Sequence, residues 1–484
     1  MKRSLALAGL LGLALSATAC EEEATVPTTP VESTALLKKN KDTFITDKAA
    51  KLDLLVSGDL TPIANAGETM PGGEVLVGIP DGLGAFGGRY LNLFMNHEIS
   101  SSAGFSRVSK FLIDTDTREI VEHEYVVDAS DGYSRLCSAE WMDARDGFPG
   151  GAFFTGEEDG AGVQLAIDRQ GNVTEMPWLG YYAHENQISV PGFRSSVVLV
   201  NFDDDGTSGS SPDPDPDNGS ESELYMYVSS NANGALRGTG QLYVFNSPDA
   251  LNVGELTVGQ TIVGEWTPVP ESVALDPNGT QDWIDLNPHF SFARLEDGFI
   301  DRLADRDEPA IYFYDTGDDD LTNSSGAFWD DWGSIYRLSW ADPQNPAGTA
   351  YLTLVERSSG PANGWASPDN GDMNEDGVVM LQEDPANGPW EPAAGVRPPA
   401  IFMFQALPGG GLMNTAGVKI AEVNGGDCSP GADPCWETSG IIDASEWFGP
   451  GAWLLDVQAH DTNDDTGDCP ECVEDGQLLL MELD

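Results

Sequence analysis

From residue 53 onward apolar residues fall in short runs, among them GEVLVGI, YLNLFMNHE, EIVEHEYVV, AFFTGEE, SSVVLVNF, ELYMYVSS, GQLYVFN, AIYFYDT, GSIYRLSW, AIFMFQAL, AWLLDVQA and GQLLLMEL. Clusters of Gly, Pro, Asn and Asp separate them, and a helical period is almost absent. Runs of this kind, bounded by turn residues, read as strands, so residues 53–484 form an all-β domain. That length is too great for a simple sandwich. A six-bladed β-propeller with long acidic loop insertions fits, because six blades of ~40–50 residues need only ~240–300. The surplus goes into acidic loops at 203–222, 316–332, 360–377 and 461–475. The last run, Gln477–Leu483, is placed to pair with an early strand and close the ring. A parallel β-helix and two separate β domains are the competing architectures. Ahead of the domain, Lys38–Leu55 is expected to form a short lead-in helix.

The polar positions that matter are those ending the runs. Val77–Glu98 reads as a Gly-rich turn followed by an apolar strand that ends in Asn96-His97-Glu98. The arrangement recurs: AFFTGEE ends in Glu157 and Glu158, WLGYYAHE in Glu185, HFSFARLE in Glu296, and VVMLQED in Glu383 and Asp384. A buried strand ending in an acid delivers a charge to a fixed point. Several such points converging on one axis require bound cations to hold the like charges together. Adjacent glutamates at 157 and 158 can serve two neighbouring cations.

The chain opens with Lys2 and Arg3, an apolar run from Leu5 to Leu15, and Ala17-Thr18-Ala19-Cys20. This order reads as a bacterial lipoprotein signal peptide over residues 1–19, with Cys20 as the lipidated first residue. Residues 20–52 then form an acidic, Thr/Pro-rich tether and lead-in. The protein is expected to be exported, held in the cell envelope only through its N-terminal lipid, and monomeric. Loss of Lys2 and Arg3 takes the formal charge from −57 to −59. A field of that sign excludes nucleic acid and anionic membrane surfaces as partners and favours divalent cations.

Five further cysteines remain: Cys137, Cys428, Cys435, Cys469 and Cys472. In an oxidising compartment the simplest pairing is Cys428 with Cys435 and Cys469 with Cys472; a zinc site made of the four is the alternative. Cys137 is left as a buried thiol in a strand. Of five histidines, His97, His123 and His184 each precede a glutamate. Neighbours on a strand point to opposite faces, so His123 is expected at a solvated edge, while His97 and His184 are expected to orient the carboxylates beside them.

Two motifs carry more specific chemistry. Residues 372–383 match D-x-[DN]-x-[DN]-G-x5-E, with Asp372, Asn374, Asp376, the Val378 carbonyl and Glu383 as calcium ligands. The flanks WASPDNG and DPANGPW cannot be helices, so an EF-loop-like calcium site on a β scaffold is expected, with Asp369, Asn370 and Asp384 free to join the axial site instead. In Arg294-Leu-Glu296, residues two apart share a face of an extended segment, so a carboxylate holding a cation would sit beside a guanidinium able to clamp an anionic oxygen.

Taken in order, VGIPDGLGAF, MNHE, RLCSAEW, TGEE, AHEN, FARLEDG, SPDN, LQEDP and DVQAH resemble the PhoX-type alkaline phosphatases over most of residues 70–482. The resemblance implies a six-bladed propeller whose axial site binds calcium and iron and hydrolyses phosphate esters. It matches Glu98, Glu157, Glu185 and Glu296 to acidic positions at the metals, and Arg294 to an arginine that contacts the substrate phosphate. The family's phosphatases carry a cysteine bridging two irons ahead of the Glu-Glu pair; Gly156 stands there in this chain, which makes calcium the expected metal. The function expected is an exported metal-dependent phosphoric ester hydrolase with Arg294 and Glu296 as catalytic residues. The alternative is a calcium-stabilised propeller that binds a ligand or partner without turnover.

Overall fold

The computed structural model describes residues 43–204, 222–287, 289–305, 307–322, 328–385, 397–426, 435–460, 469 and 471–484. Within them the chain is nearly all strand, with only short helices such as Gly279–Leu286. Over its described residues, from 43 on, the lead-in is not helical: Phe44 bridges Ile120 and Leu52–Leu54 pairs with the strand Val418–Val423. The expected tether, leader and Cys20 lie outside the described residues.

The strands form antiparallel sheets in a propeller-like arrangement. Pro80–Gly87, Tyr90–His97, Arg107–Asp114 and Glu119–Val127 follow one another in the first sheet, and Leu136–Met142 to Val173–Glu175 make the second. A nine-stranded sheet begins at His184–Ser189 and ends at Leu295–Ile300, with Thr261–Pro268 pairing Gly240–Asn246 on one side and Ala350–Arg357 on the other. A five-stranded sheet begins at Pro368–Met373. The last runs from Glu437–Asp443 outward to Gly58–Asn65, which pairs with the C-terminal strand Asp475–Leu483, so that an early strand and the last one share a sheet.

Six strands are innermost: Pro80–Gly87, Leu136–Met142, His184–Ser189, Leu295–Ile300, Pro368–Met373 and Glu437–Asp443. Each packs on the next, and the sixth packs on the first. These strands are short and polar, because they line an axis and must approach closely. A Cβ added at Gly82 would lie 2.4 Å from the Ala139 nitrogen. The apolar runs are their outward neighbours, such as Val197–Asp203 and Ala452–Ala459, buried along their whole length between sheets. The segment expected to be a Gly-rich turn before Tyr90–His97 is therefore itself an innermost strand, and Tyr90–His97 stands second.

One irregularity repeats in all six. At Pro80/Leu83, Leu136/Ala139, His184/Gln187, Leu295/Gly298, Pro368/Gly371 and Thr438/Ile441 the register shifts, so that two inner-strand residues face one residue of the neighbour. Such a bulge bends the strand and re-aims its side chains. Here it turns one residue from each strand, Asp81, Cys137, Glu185, Glu296, Asp369 and Ser439, into a ring at the same level.

Candidate metal centre

Five of the six ring residues, all but Ser439, line a cavity of about 350 Å³. A second tier of side chains enters it from the residue that follows five of the six outward neighbours: Glu98, Glu158, Asp204, Asp384 and His460. Arg135, Arg294, Glu437 and Glu474 complete the polar wall. Four inner strands are entered through a non-glycine residue in the left-handed region, namely Ile79 (φ 50°), Arg135 (φ 49°), Arg294 (φ 64°) and Ser367 (φ 45°). This backbone is costly for residues with a Cβ and persists only where surrounding structure enforces it. At Arg135 and Arg294 it turns the guanidinium toward the cavity.

The donors are close together. Asp81, Glu98 and Cys137 form one triad with ligand atoms within 4.8 Å of one another, Cys137, Glu158 and Glu185 a second, and Glu185, Asp204 and Glu296 a third. Shared members make the three triads a continuous arc. The Cys137 thiol donates to Glu158 Oε2 at 2.9 Å. Arg135 reaches Glu98 Oε1 at 3.0 Å and Glu158 Oε2; Arg294 Nη2 pairs with Asp204 and lies 3.5 Å from Glu296 Oε1. Opposite the arc, His460 Nδ1 meets Glu474 Oε2 at 2.5 Å, with Glu437 3.5 Å from Nε2.

Burial, and then the neighbouring acids, push the carboxyls of Glu185 and Asp369 well above the usual carboxylate range. In Glu158 and Glu296 the arginines only partly oppose it. Asp81 rises to about 8 through burial and the nearby Glu98. The Cys137 thiol is raised by the same two causes. Asp204 Oδ1 is buried with no hydrogen-bond donor, although its carboxylate faces that of Glu158. Carboxylates crowded this way, with an orphaned oxygen among them, fit divalent cations, whose charge lowers these pKa values and satisfies the oxygens.

Glu98, Glu158, Glu185, Glu296 and Arg294 thus meet in one cavity, as do Asp369 and Asp384. Other expectations are corrected. Glu157 points away and binds the backbone N–H groups of Ser134 (2.8 Å) and Val163 (3.3 Å), fixing a loop. The EF-like loop does not assemble: the strand Val378–Glu383 separates Asp372, Asn374, Asp376 and Val378 from Glu383, which instead forms a two-pronged pair with Arg397 at 2.6 Å. Asn374 Oδ1 accepts from the N–H groups of Asp376 and Val378, closing a hairpin turn. His97 bonds Ser109 and the Gly78 carbonyl, and His184 bonds the Gly180 carbonyl, so neither orients an acid of the cavity. His123 is buried, not solvated, and bonds Ser109 at 3.0 Å.

Cys137 is, as expected, a free buried thiol in a strand, here the inner strand Leu136–Met142. A Cβ on Gly156 would sit 2.4 Å from the His184 Cβ, so position 156 takes no larger residue; Cys137, from the adjacent inner strand, brings sulfur to the centre instead. Cys469 and Cys472 form a disulfide rather than a zinc site, Cys435 is disulfide-bonded, and Cys428 lies outside the described residues. Sequence reasoning did not single out Asp81, Arg135, Asp204, Glu437 or His460. A recurring signal was present in the short polar stretches Pro-Asp-Gly, Leu-Cys-Ser, His-Glu-Asn, Leu-Glu-Asp and Pro-Asp-Asn.

No protein-family model and no curated protein sequence matches the chain. Among solved structures, PhoX of Pseudomonas fluorescens in complex with vanadate, a transition-state analogue, is similar, with a TM-score of 0.61 at 13% identity over 91% of this chain and 97% of that one. A gluconolactonase of Xanthomonas campestris aligns over 93% of this chain and 99% of its own at a TM-score of 0.41 and 9% identity. At these identities the likeness is one of fold: the chain has a PhoX-like fold.

Proposed function

We propose that the protein is a six-bladed propeller hydrolase that cleaves phosphate esters at a centre of several cations held by the bulge ring. The blade count rests on the six innermost strands, the nine-stranded sheet being two blades joined through Thr261–Pro268. The observation that carries the activity is Arg294. Its Nη2 is engaged by Asp204, while its Nη1 is buried without a partner in a cavity rich in acids, where the other guanidinium, Arg135, is held by Glu98 and Glu158. A donor left over in that position suits an anionic oxygen.

Glu185, Asp204 and Glu296 would hold one cation, and Cys137 with Glu158 and Glu185 another. Oxygen donors suit calcium, and the thiol, once deprotonated, suits a softer ion such as iron. Bound cations would supply Lewis acidity toward the phosphoryl oxygens and a water of lowered pKa. The protein's own part is to orient the ester: Arg294 Nη1 donates to a non-bridging oxygen, and the low-dielectric floor of the ring strengthens that bond. Export through residues 1–19 and anchoring at Cys20 belong to the same proposal.

A second reading, a calcium-stabilised propeller without turnover, is supported by the half of the cavity around Asp369, Asp384 and Glu437, where no guanidinium lines the wall. The two part in one experiment. Elemental analysis of the purified protein is combined with assay of a chromogenic phosphomonoester and diester, with and without chelator, for wild type and Arg294→Ala. Chelator-sensitive hydrolysis lost in Arg294→Ala supports the enzyme. Bound calcium with no hydrolysis under any metal condition supports the binding protein.

A further inference from the structure

The cavity has two guanidiniums, and the reaction proposed above uses one. We propose that Arg135 is a positioning residue: a built-in cation that neutralises Glu98 and Glu158 and takes the place of one divalent ion. The inference rests on reading the cavity as a multi-cation centre.

Both the backbone and the side chain of Arg135 are committed to these two acids. Its N–H donates to the Ile99 carbonyl, next to Glu98, and its carbonyl accepts from the N–H of Glu158. The left-handed backbone then turns the guanidinium back between them, Nε on Glu98 Oε1 and Nη2 on Glu158 Oε2. Gln458 Nε2 holds Glu98 Oε2 at 3.1 Å, so both oxygens of Glu98 already have protein donors. Glu98 and Glu158 belong to the two triads that share Cys137, and each is the member of its triad that an arginine touches.

Arg294 differs. Its side chain is 16% exposed against 42% for Arg135, and it retains a buried donor without a partner. A guanidinium does not deprotonate in a protein. A divalent ion bound to the same oxygens as Arg135 would therefore meet a permanent like charge, whereas in the third triad, Glu185, Asp204 and Glu296, Arg294 engages Asp204 through Oδ2 alone and leaves Asp204 Oδ1 open. Arg135 lowers the number of ions the arc takes and fixes the spacing of the first two sheets before any ion binds.

The test is calcium stoichiometry and stability, read on the full chain stripped with chelator and reloaded with calcium. Elemental analysis and equilibrium titration are run on wild type, Arg135→Ala, Arg135→Gln and Arg135→Lys. The expected result is one additional calcium per chain in Arg135→Ala and Arg135→Gln, the wild-type number in Arg135→Lys, and a lower melting temperature in chelator for the two uncharged variants that calcium restores. If Arg135→Ala does not fold without calcium, Arg135→Gln decides. An unchanged or smaller calcium number in Arg135→Gln overturns the role of Arg135. A wild-type chain that binds no cation overturns the multi-cation centre itself.

Discussion

At the far end of the inner strands, a second cavity of about 370 Å³ is lined by Asp297 and Asp372, whose oxygens are engaged, and by Glu140, whose Oε2 is buried without a hydrogen-bond donor. Asp297 accepts from Asn186 and from the N–H groups of Gly298 (2.6 Å) and Gly371 (3.0 Å). Asp372 accepts from the N–H groups of Met373 (2.6 Å) and Asp443 (2.7 Å). At the entry end, Glu185, Asp204 and Glu296 face one another with one guanidinium among them. Burial raises the acids at both ends, Asp297 to about 7 and Asp372 to about 6, against about 8 for Asp81. Backbone amides oppose burial at Asp297 and Asp372, whereas in Glu158 and Glu296 an arginine opposes it only in part and neighbouring acids add to it. An acid satisfied by amides is part of the scaffold, and an acid facing acids has oxygens that can take a cation.

Removing ions should break that contrast most completely. Chelation is expected to take phosphoesterase activity to background, with recovery on adding calcium and iron; full activity at zero bound metal would end the metal-centre reading. The stripped protein should also show a pH dependence of definite sign. Asp81, at about 8 in the fold and about 4 when unfolded, makes the folded state hold more protons between those values. Metal-free stability should therefore fall as pH rises from about 4 to about 8 and level off above it. Bound calcium should flatten the profile, which thermal melts across that range will show.

Away from the centre, Arg397→Met strands the buried Glu383 carboxylate. It should cost about 3–5 kcal/mol in urea unfolding while leaving calcium content unchanged, because Glu383 is no ligand. Arg294→Ala should lower kcat/KM by about 10²–10³-fold with metal content retained, measured on a chromogenic ester. The smallest effect is expected at the far end. Asp372→Asn exchanges one acceptor oxygen for a donor facing the Met373 or Asp443 N–H, costing about 1–3 kcal/mol with no change in bound calcium. Loss of a calcium ion there would restore the EF-like site.

The acids that close outward strands were legible because an apolar run followed by a charge is visible in one dimension, as in FMNHE and TGEE; Glu185 and Glu296, expected at strand ends too, instead stand second in the inner strands His184–Ser189 and Leu295–Ile300. The inner strands were not legible. PDNGDM and HENQIS have no apolar period, since a strand lining a polar axis needs none, and small residues at close approaches resemble turns. The residues 372–383 pattern misled for a related reason: residue types and spacing fit a calcium loop, but the backbone between positions 378 and 383 is extended and carries Glu383 several residue lengths away.

The sequence by itself determined that the chain would be all-β, that several of its outward strands would end in acids, and that its charge would be strongly negative. Only the tertiary structure decided which acids face one another. That choice depends on the six bulges and the left-handed residues before four inner strands. Shifting a strand by one residue turns every side chain to its other face, and such a shift is fixed by packing between sheets distant in the chain.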